Sequence, residues 1–311
     1  MKAIIIEAYG DIEQFKEADL PEPEISGQEV LVEVHAVAVN PIDWKIRAGY
    51  MQDYLPFDMP IVFGWDVSGV VKKVGAQVTD FGTGDEVLAR ADLKKPGAFA
   101  ELIAIDEAQL VKKPENVPFE EAAAIPLAGM TAWQMLFEKA KLITGETVLI
   151  HGGAGGIGIF AIQLAKRAGA NVITTGSGRN RDFLIALGAD KFIDYQKEDF
   201  QTVVDRADAV LDLIGGDVLE RSYGVLKRGG RLVSIAGHPD PDLAEQMGIK
   251  TSYLNSKIKI EQLEELIGLV SNGQLKVVLA DVLPFTLDGV RQAHALSETG
   301  HTRGKIIVKV K

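Results

Sequence analysis

The stretch Thr147–Lys166 reads TVLIHGGAGGIGIFAIQLAK. It opens with a short apolar run suited to a buried strand, passes through a glycine-rich turn, and continues into an apolar segment suited to a helix. Gly153, Gly155 and Gly158 have the G-x-G-x-x-G spacing. The first glycine permits a tight turn, the second lets the backbone approach a pyrophosphate, and the third lets helix and strand pack closely. Phosphates would then rest on free N–H groups at the start of the helix. An isolated match is weak, because any sharp strand-to-helix turn can use glycine; the strand before and the helix after supply the context the motif needs. Gly153, Ala154, Gly155, Gly156, Ile157 and Gly158 are therefore candidate cofactor-binding residues.

Downstream, apolar strands alternate with amphipathic helices. Strands are expected at Val148–His151, Asn171–Thr175, Lys191–Ile193, Ala209–Leu213 and Arg231–Ala236, with helices over Gly158–Ala168, Arg181–Leu187 and Leu219–Leu226. Strict alternation implies right-handed βαβ units and a parallel sheet covered on both faces. Upstream, from Lys2 to about Ala108, short strands are broken by Gly and Pro, which reads as an irregular, mainly β domain. Val30–Val39 is one such strand, with Val30, Val32, Val34 and Ala36 on one face; Ser68–Val74 and Glu86–Ala89 are others. Helix formers appear over Phe119–Ile125 and Met130–Lys139. After Gly273 come a strand (Lys276–Leu283), a helix (Leu287–Glu298) and a closing strand (Lys305–Val310), a tail expected to return to the N-terminal domain. The fold class is α/β with a second, β-rich domain.

The end of the second strand bears on which dinucleotide is bound. An NAD enzyme normally places Asp or Glu there for the ribose hydroxyls, whereas a 2′-phosphate calls for positive charge and hydroxyl donors. Here Thr174-Thr175-Gly176-Ser177-Gly178-Arg179-Asn180-Arg181 precedes the first acid, Asp182. NADPH is the better match, with Ser177 and Arg179 as first-choice ligands and Arg181 as second; the alternative is that both arginines are solvated helix-start charges. Ile214 and Gly215 follow the fourth strand, and Ala236 and Gly237 the fifth. These are carboxyl ends of strands, where ligands bind in open α/β sheets.

Composition narrows the partners. A formal net charge of -11 disfavours nucleic acid and anionic membranes, which are bound through clustered Lys and Arg. The apolar run Ala3–Ile6 is too short for a signal-peptide core and reads as a first strand, and no stretch reaches the length of a membrane span. With no cysteine in 311 residues, thiolate catalysis, disulfides and sulfur-ligated zinc are excluded. A cytoplasmic location is expected. The five histidines, His35, His151, His238, His294 and His301, lack ligand spacing; His151 alone abuts the glycine loop.

Several strings taken together resemble the medium-chain dehydrogenase/reductases, and more narrowly their zinc-independent quinone oxidoreductase branch. They are Asn40-Pro41-Ile42-Asp43, Gly64-Trp65-Asp66-Val67-Ser68-Gly69, Gly84-Asp85-Glu86-Val87, Ala122-Ala123-Ala124-Ile125-Pro126 and Gly129-Met130-Thr131-Ala132-Trp133. The glycine loop, Leu187-Gly188-Ala189-Asp190 and Arg303-Gly304-Lys305-Ile306-Ile307 follow in the same order. The resemblance covers essentially the whole chain. It implies a GroES-like catalytic domain over residues 1–122, completed by 281–311, and a Rossmann NADPH-binding domain over 123–280, with the active site in the cleft between them. It further implies that Thr131 lies near the nicotinamide and that Tyr195 helps hold the adenosine phosphate; the alternative for Tyr195 is a strand-edge cap. Zinc members of the superfamily carry Gly-His-Glu where this chain has Gly64-Trp65-Asp66, so no metal site is expected. Members often pair as homodimers through Rossmann sheet edges, and nothing in this sequence fixes the oligomeric state.

The expected function is metal-free hydride transfer from NADPH to a quinone or an α,β-unsaturated carbonyl, electrophiles that spread incoming charge onto oxygen and need only hydrogen-bond donors in a desolvated site. Asn40 can donate through its amide, Asp43 can orient neighbours, and Tyr50 or Tyr54 can supply a proton. The opposing reading makes Asn40-Pro41 a turn with Asp43 as a local cap. Where some quinone oxidoreductases carry a tyrosine two places after the Asp, this chain has Lys45, which leaves the proton donor open, with water as the alternative to a tyrosine. Trp44, Tyr50, Met51, Tyr54, Phe57 and Met59 suit a pocket wall for flat substrates, a core, or a dimer surface. Two alternative functions are an enoyl-thioester reductase and a non-catalytic NADPH-binding protein.

Overall fold

Alternating β-branched residues favour half-buried strands, and the N-terminal part of the chain is built from them. It contains β1 (Lys2–Ile6), β2 (Phe15–Asp19), β3 (Glu29–Val39), β4 (Ile61–Val62), β5 (Asp66–Val74), β6 (Glu86–Arg90), β7 (Leu102–Asp106) and β8 (Leu110–Lys112), with helices α1 (Pro41–Arg47) and α2 (Phe119–Ala123). After α3 (Pro126–Trp133) strands and helices alternate: β9 (Thr147–Ile150), α4 (Gly156–Arg167), β10 (Asn171–Gly176), α5 (Arg181–Leu187), β11 (Lys191–Asp194), α6 (Phe200–Val203), β12 (Ala207–Asp212), α7 (Asp217–Ser222), β13 (Leu226–Ser234), α8 (Pro241–Met247) and β14 (Lys250–Tyr253). The chain closes with α9 (Ile260–Ser271), β15 (Leu279–Pro284), α10 (Leu287–Glu298) and β16 (Lys305–Lys309). The computed structural model describes every residue from Met1 to Lys311 and divides into two compact units, Met1–Leu127 with Ile258–Lys311, and Ala128–Lys257.

The first unit holds a sheet in the order β15-β16-β3-β5-β6-β8, with β7 also beside β3, and a small sheet β2-β1-β4. The tail enters this unit because β16 pairs antiparallel with β3, Ile306 opposite Val39 and Val308 opposite Val37. On β3, Val30, Val32 and Val34 enter the main core, but Ala36 does not share their face as the alternation suggests. It packs in a separate cluster with Ala38, Ala123, Ala124 and Ile307. The register with β5 slips between Val34 and Ala36, so His35 is an extra residue that reverses the phase of alternation.

The second unit is a six-stranded parallel sheet in the order β11-β10-β9-β12-β13-β14. Counted from β9, this is 3-2-1-4-5-6, the doubly wound order of dinucleotide-binding sheets. Its last strand, β14, carries too few apolar residues to stand out in the sequence. The helix expected over Leu219–Leu226 stops at Ser222, and Leu226 already opens β13. The helix expected over Met130–Lys139 widens at Gln134 into a π-helical stretch, where the Gln134 amide exchanges two hydrogen bonds with the Lys257 main chain (2.8 and 3.0 Å). The unit also ends earlier than the expected 280, because α9 joins the first unit. Leu263, Leu266 and Ile267 are buried on α9, and Asn116 and Ser271 exchange two hydrogen bonds of 2.8 Å. No helix is long and apolar enough to cross a membrane.

The core of the first unit encloses one polar ring. His294 on α10 lies among Phe15, Phe99 and Phe63, with ring centroids 4.7, 5.8 and 6.3 Å away, and neither ring nitrogen has a hydrogen-bond partner. Burial, assisted by the nearby Arg47 guanidinium, pushes its pKa down to about 3. That guanidinium pairs with Glu298 and donates to the Gly10 carbonyl (3.2 Å), which ties α1 to α10. Because the unfolded chain protonates His294 near 6.5 and the folded chain does not, this residue removes stability as pH falls from about 6.5 toward 3. In thermal melts, His294→Phe should gain on the wild type as pH falls from 7 to 4, by roughly 3 kcal/mol at the lower pH. A pH-independent difference would mean the ring is not held neutral.

Candidate functional site

The glycine loop is built by contacts that leave no room for side chains. Gly152, with φ of 72°, supplies the left-handed turn; the expectation had given that role to Gly153. A Cβ on Gly153 would instead lie 2.0 Å from Thr174 Oγ1, itself held to the Ile150 carbonyl at 2.9 Å. A Cβ on Gly158 would lie 2.4 Å from the Gly152 carbonyl oxygen and 2.7 Å from Gly153 Cα. Gly155 differs from both. Its φ is -74°, and the nearest atom to an added Cβ is the Gly152 carbonyl oxygen at an ordinary 3.4 Å. Nothing inside the protein requires glycine there.

Gly155 also caps α4, with no side chain to satisfy the first turn, and the first intrahelical bond is Ile159 N–H to the Gly155 carbonyl. The N–H groups of Gly156, Ile157 and Gly158 precede that bond, so they form the open end of the helix dipole. Ala154 is buried beneath the turn. A backbone that needs no Cβ for itself, beside uncapped N–H donors, fits a pyrophosphate.

At the carboxyl end of β10, Thr174, Thr175 and Gly176 are buried and Ser177 is half-buried, receiving the Asn180 amide at 3.2 Å. Arg179 and Arg181 are exposed, and the Arg181 guanidinium sits 5.7 Å from the centre of the Phe192 ring. The adjacent strand ends in Asp194, whose carboxylate lies 2.5 Å from where a Gly178 Cβ would be. Tyr195 follows it, 52% exposed, with its N–H on the Gly176 carbonyl at 3.3 Å. The structure thus brings Ser177, Arg179 and Tyr195 to neighbouring strand ends of one sheet.

Two further strand ends are fastened by residues the sequence reading passed over. Asp212, fully buried at the end of β12, accepts the N–H groups of Ile214 (3.0 Å) and Gly215 (2.9 Å) through Oδ1 and the Ser234 hydroxyl (2.7 Å) through Oδ2. Ser234 Oγ in turn accepts the N–H groups of Ala236 and Gly237, each at 3.1 Å. A lone acid closing an apolar strand just before Gly215-Gly216 was the only sequence sign of this brace. Gly215, at φ of 81°, comes so near the next loop that a Cβ would meet the Ala236 carbonyl oxygen at 2.9 Å. Ile214, 55% exposed, reaches over the glycine loop, its Cδ1 3.0 Å from a Cβ built on Gly152.

His151 turns inward. Its ring is buried, with Nδ1 3.2 Å from Thr175 Oγ1 and Nε2 3.2 Å from Ser222 Oγ. Since the Ser222 hydroxyl donates to the Val218 carbonyl at 2.6 Å, Nε2 carries the proton and Nδ1 accepts from Thr175. Burial pushes its pKa down to about 4, so it is a neutral crosslink between β9, β10 and α7 rather than a cofactor contact.

The first unit contains a buried charge network. Asn40, at the N-terminus of α1, uses its N–H to reach the Asp43 carboxylate (2.8 Å) and its side-chain amide to reach Asp66 (3.0 Å), while Lys305 donates to its Oδ1. Asp66 also accepts the Leu127 N–H at the start of α3, at 3.1 Å, and Lys305 Nζ lies 3.9 Å from it. Burial, opposed by the Asn40 N–H and reinforced by the neighbouring Asp66, pushes the Asp43 carboxyl up to about 7. Burial also raises Asp66 against the pull of Lys305, and lowers Lys305 against the pull of the two carboxylates. Both the turn-and-cap role and the assembled cluster are therefore present; Lys305 and Asp66 had not been singled out as site residues.

Tyr50 does not join this network. It is 70% exposed and meets Trp44 edge-on at 6.0 Å, and Tyr54 is also exposed. Of the aromatic and Met cluster, Met51, Phe57 and Met59 pack against the core. Trp65 stacks with Phe57 at 6.0 Å and donates to the Lys95 carbonyl at 3.0 Å, so it fills as core the place where the zinc relatives' motif has histidine. Thr131 is buried on α3. No group of three or more His, Asp or Glu side chains has a metal-holding arrangement.

The glycine geometry predicts opposite behaviour for two similar substitutions. Gly158→Ala should lower Tm by roughly 5–10 °C, because backbone must move, whereas Gly155→Ala should stay within about 2 °C of the wild type. Equal losses in differential scanning fluorimetry would show that both glycines serve packing alone.

Comparison with known proteins agrees with this architecture. Residues 26–115 match the alcohol dehydrogenase GroES-like domain and residues 187–308 a domain described as zinc-binding dehydrogenase. The 2-methylene-furan-3-one reductase of Solanum lycopersicum is 37% identical over 99% of this chain and 79% of its own. The chloroplastic NADPH-dependent alkenal/one oxidoreductase of Arabidopsis thaliana is 35% identical over the same shares, 99% and 79%. The quinone oxidoreductase from Coxiella burnetii superposes with a TM-score of 0.94 at 39% identity, covering 100% of this chain and 99% of that one. With a doubly wound sheet, a GroES-like partner and relatives aligned along its whole length, the chain belongs to the zinc-independent quinone oxidoreductase branch of the medium-chain dehydrogenase/reductases.

Proposed function

We infer that this protein is an NADPH-dependent oxidoreductase that reduces a quinone or an α,β-unsaturated carbonyl. The observation that carries the reading is Gly155: a glycine that no contact or backbone angle of the protein requires, next to uncapped helix N–H groups, leaves space shaped for a pyrophosphate. When bound, NADPH supplies the hydride. Gly156, Ile157 and Gly158 would hold the pyrophosphate through N–H groups, and Ser177, Arg179 and Tyr195 the adenosine phosphate. Arg181, engaged on Phe192, is the secondary ligand. The Ile214–Gly215 and Ala236–Gly237 loops, fixed by Asp212 and Ser234, would line the nicotinamide end, with Thr131 toward the same ring.

The residues of the chain that act on substrate follow from the charge network. Lys305 on Oδ1 and Asp66 on one amide hydrogen fix the Asn40 side chain, which leaves its second N–H as a donor to the substrate carbonyl. Asp43 holds the Asn40 backbone in that orientation, and the proton comes from outside the network, from the exposed Tyr50 phenol or from water. Quinones and enones suit so weak an electrophilic assist, because their own conjugation takes up the developing charge.

Fluorescence titration should show NADPH bound at least tenfold more tightly than NADH. Arg179→Ala should weaken NADPH by about 10–100-fold while leaving NADH within about twofold, as expected for loss of one charge-assisted phosphate contact. Equal or better binding of NADH would overturn the cofactor assignment. Turnover of crotonyl thioesters alone would favour an enoyl-thioester reductase, and NADPH binding without turnover of quinones, alkenals or thioesters would favour a non-catalytic binding protein.

A further inference from the structure

Apart from the proposed nucleotide ligands, the carboxyl edge of the parallel sheet carries an aromatic pair. His238 follows the Ala236–Gly237 loop, and Tyr253 is the last residue of β14, opposite Ser234 in the β13 ladder. Their rings stack with centroids 4.0 Å apart and planes inclined by 29°. Both are solvent-accessible, Tyr253 being 41% exposed. The stack therefore buries one face of each ring and leaves apolar π surface open at an edge where ligands of such sheets lie.

Three observations give this pair a direction. The loop before His238 is not free to wander, since Ser234 Oγ holds the N–H groups of Ala236 and Gly237. Along the sheet, the glycine loop follows β9, Ile214–Gly215 follows β12, Ala236–Gly237 follows β13, and Tyr253 ends the outermost strand β14. Under the proposed nucleotide reading, a dinucleotide running from the end of β10 to the end of β13 would finish on the strand next to Tyr253. Finally, of the six large apolar or aromatic side chains exposed in this unit, Tyr195, Ile214 and Tyr253 stand at carboxyl strand ends, whereas Ile185 and Met247 lie on helices and Ile143 precedes β9.

We propose that His238 and Tyr253 form a stacking platform that selects flat, conjugated ring substrates, quinones above all, over open-chain enals. The inference rests on the oxidoreductase reading and names its substrate class. The platform works because offset stacking between π faces adds attraction that a flexible chain, presenting one double bond, cannot match. Tyr253 and His238 are specificity residues here and take no part in proton transfer.

The test uses the full-length protein with 2-methyl-1,4-naphthoquinone and trans-2-hexenal as probes. Tyr253→Ala should lower kcat/KM for the naphthoquinone about tenfold, through KM, and leave that for hexenal within about twofold, while Tyr253→Phe restores the naphthoquinone value. Hexenal turnover and NADPH affinity serve as controls for folding and for the nucleotide site, and both should match the wild type. Separately, titrating naphthoquinone into the protein without nucleotide should shift the ring-proton resonances that His238→Ala removes. Equal loss toward both substrates, no loss toward either, or unshifted His238 resonances would overturn the platform. A wild-type protein that binds no NADPH yet shows the His238 shift would overturn the nucleotide reading and leave the platform standing.

Discussion

The second unit depends on close backbone approach between the start of α4 and the strands beneath it. At Gly153 and Gly158 a methyl group would sit within 2.0 and 2.4 Å of neighbouring oxygen atoms, so the helix can lie against β9 and β10 only if both positions are bare. That packing points the uncapped N-terminal amides out of the carboxyl edge of the sheet. The same edge collects the ends of β10, β12, β13 and β14, and an anion-favouring helix end among them gives the unit its polarity.

Buried polar side chains hold that edge in shape. Asp212 and Ser234 take up the N–H groups of two consecutive loops, and His151 spans Thr175 and Ser222. In a medium of low dielectric such bonds are strong when complete, and an unmade one is costly, so the loops are rigid where a strand alone would fray. Under the proposed cofactor reading such an edge favours binding, since ligand ordering would not have to be matched by loop ordering.

The first unit holds a polar cluster of a different kind, centred on the buried Asn40 amide. Asn40, Asp43, Asp66 and Lys305 come from α1, β5 and β16 and its flanks, more than 260 residues apart in the chain at the extremes. Two carboxyls and an ammonium share one buried cluster, so each resists ionising alone: burial moves the acids up and the lysine down, while their mutual attraction opposes both shifts. Removing one partner would leave a buried charge unmatched, which makes the cluster a unit in folding as well as in any role it has toward substrate.

Local pattern was enough to place the parallel sheet, the glycine turn and the missing acid after β10, because each is written in short-range periodicity, turn residues or charge; the return of the tail followed from the family resemblance, since periodicity does not carry it. Pattern also placed Arg181–Leu187 and Leu287–Glu298 to the residue. It could not separate Gly152 from Gly153 as the left-handed position, since both are glycine and only the folded backbone, with φ of 72° at Gly152, tells them apart. Nor could it foresee the reversed face at Ala36, which follows from one unpaired residue in a ladder. Asp212 with Ser234, Lys305 with Asn40, and His238 with Tyr253 are pairs made by strand order and by chain return. The sequence by itself determined most of the strands and helices, β14 excepted, and the glycine turn that opens α4. Only the tertiary structure decided which distant polar and aromatic groups meet, because hydrogen bonding and stacking act through space at a few ångströms and leave no spacing rule along the chain.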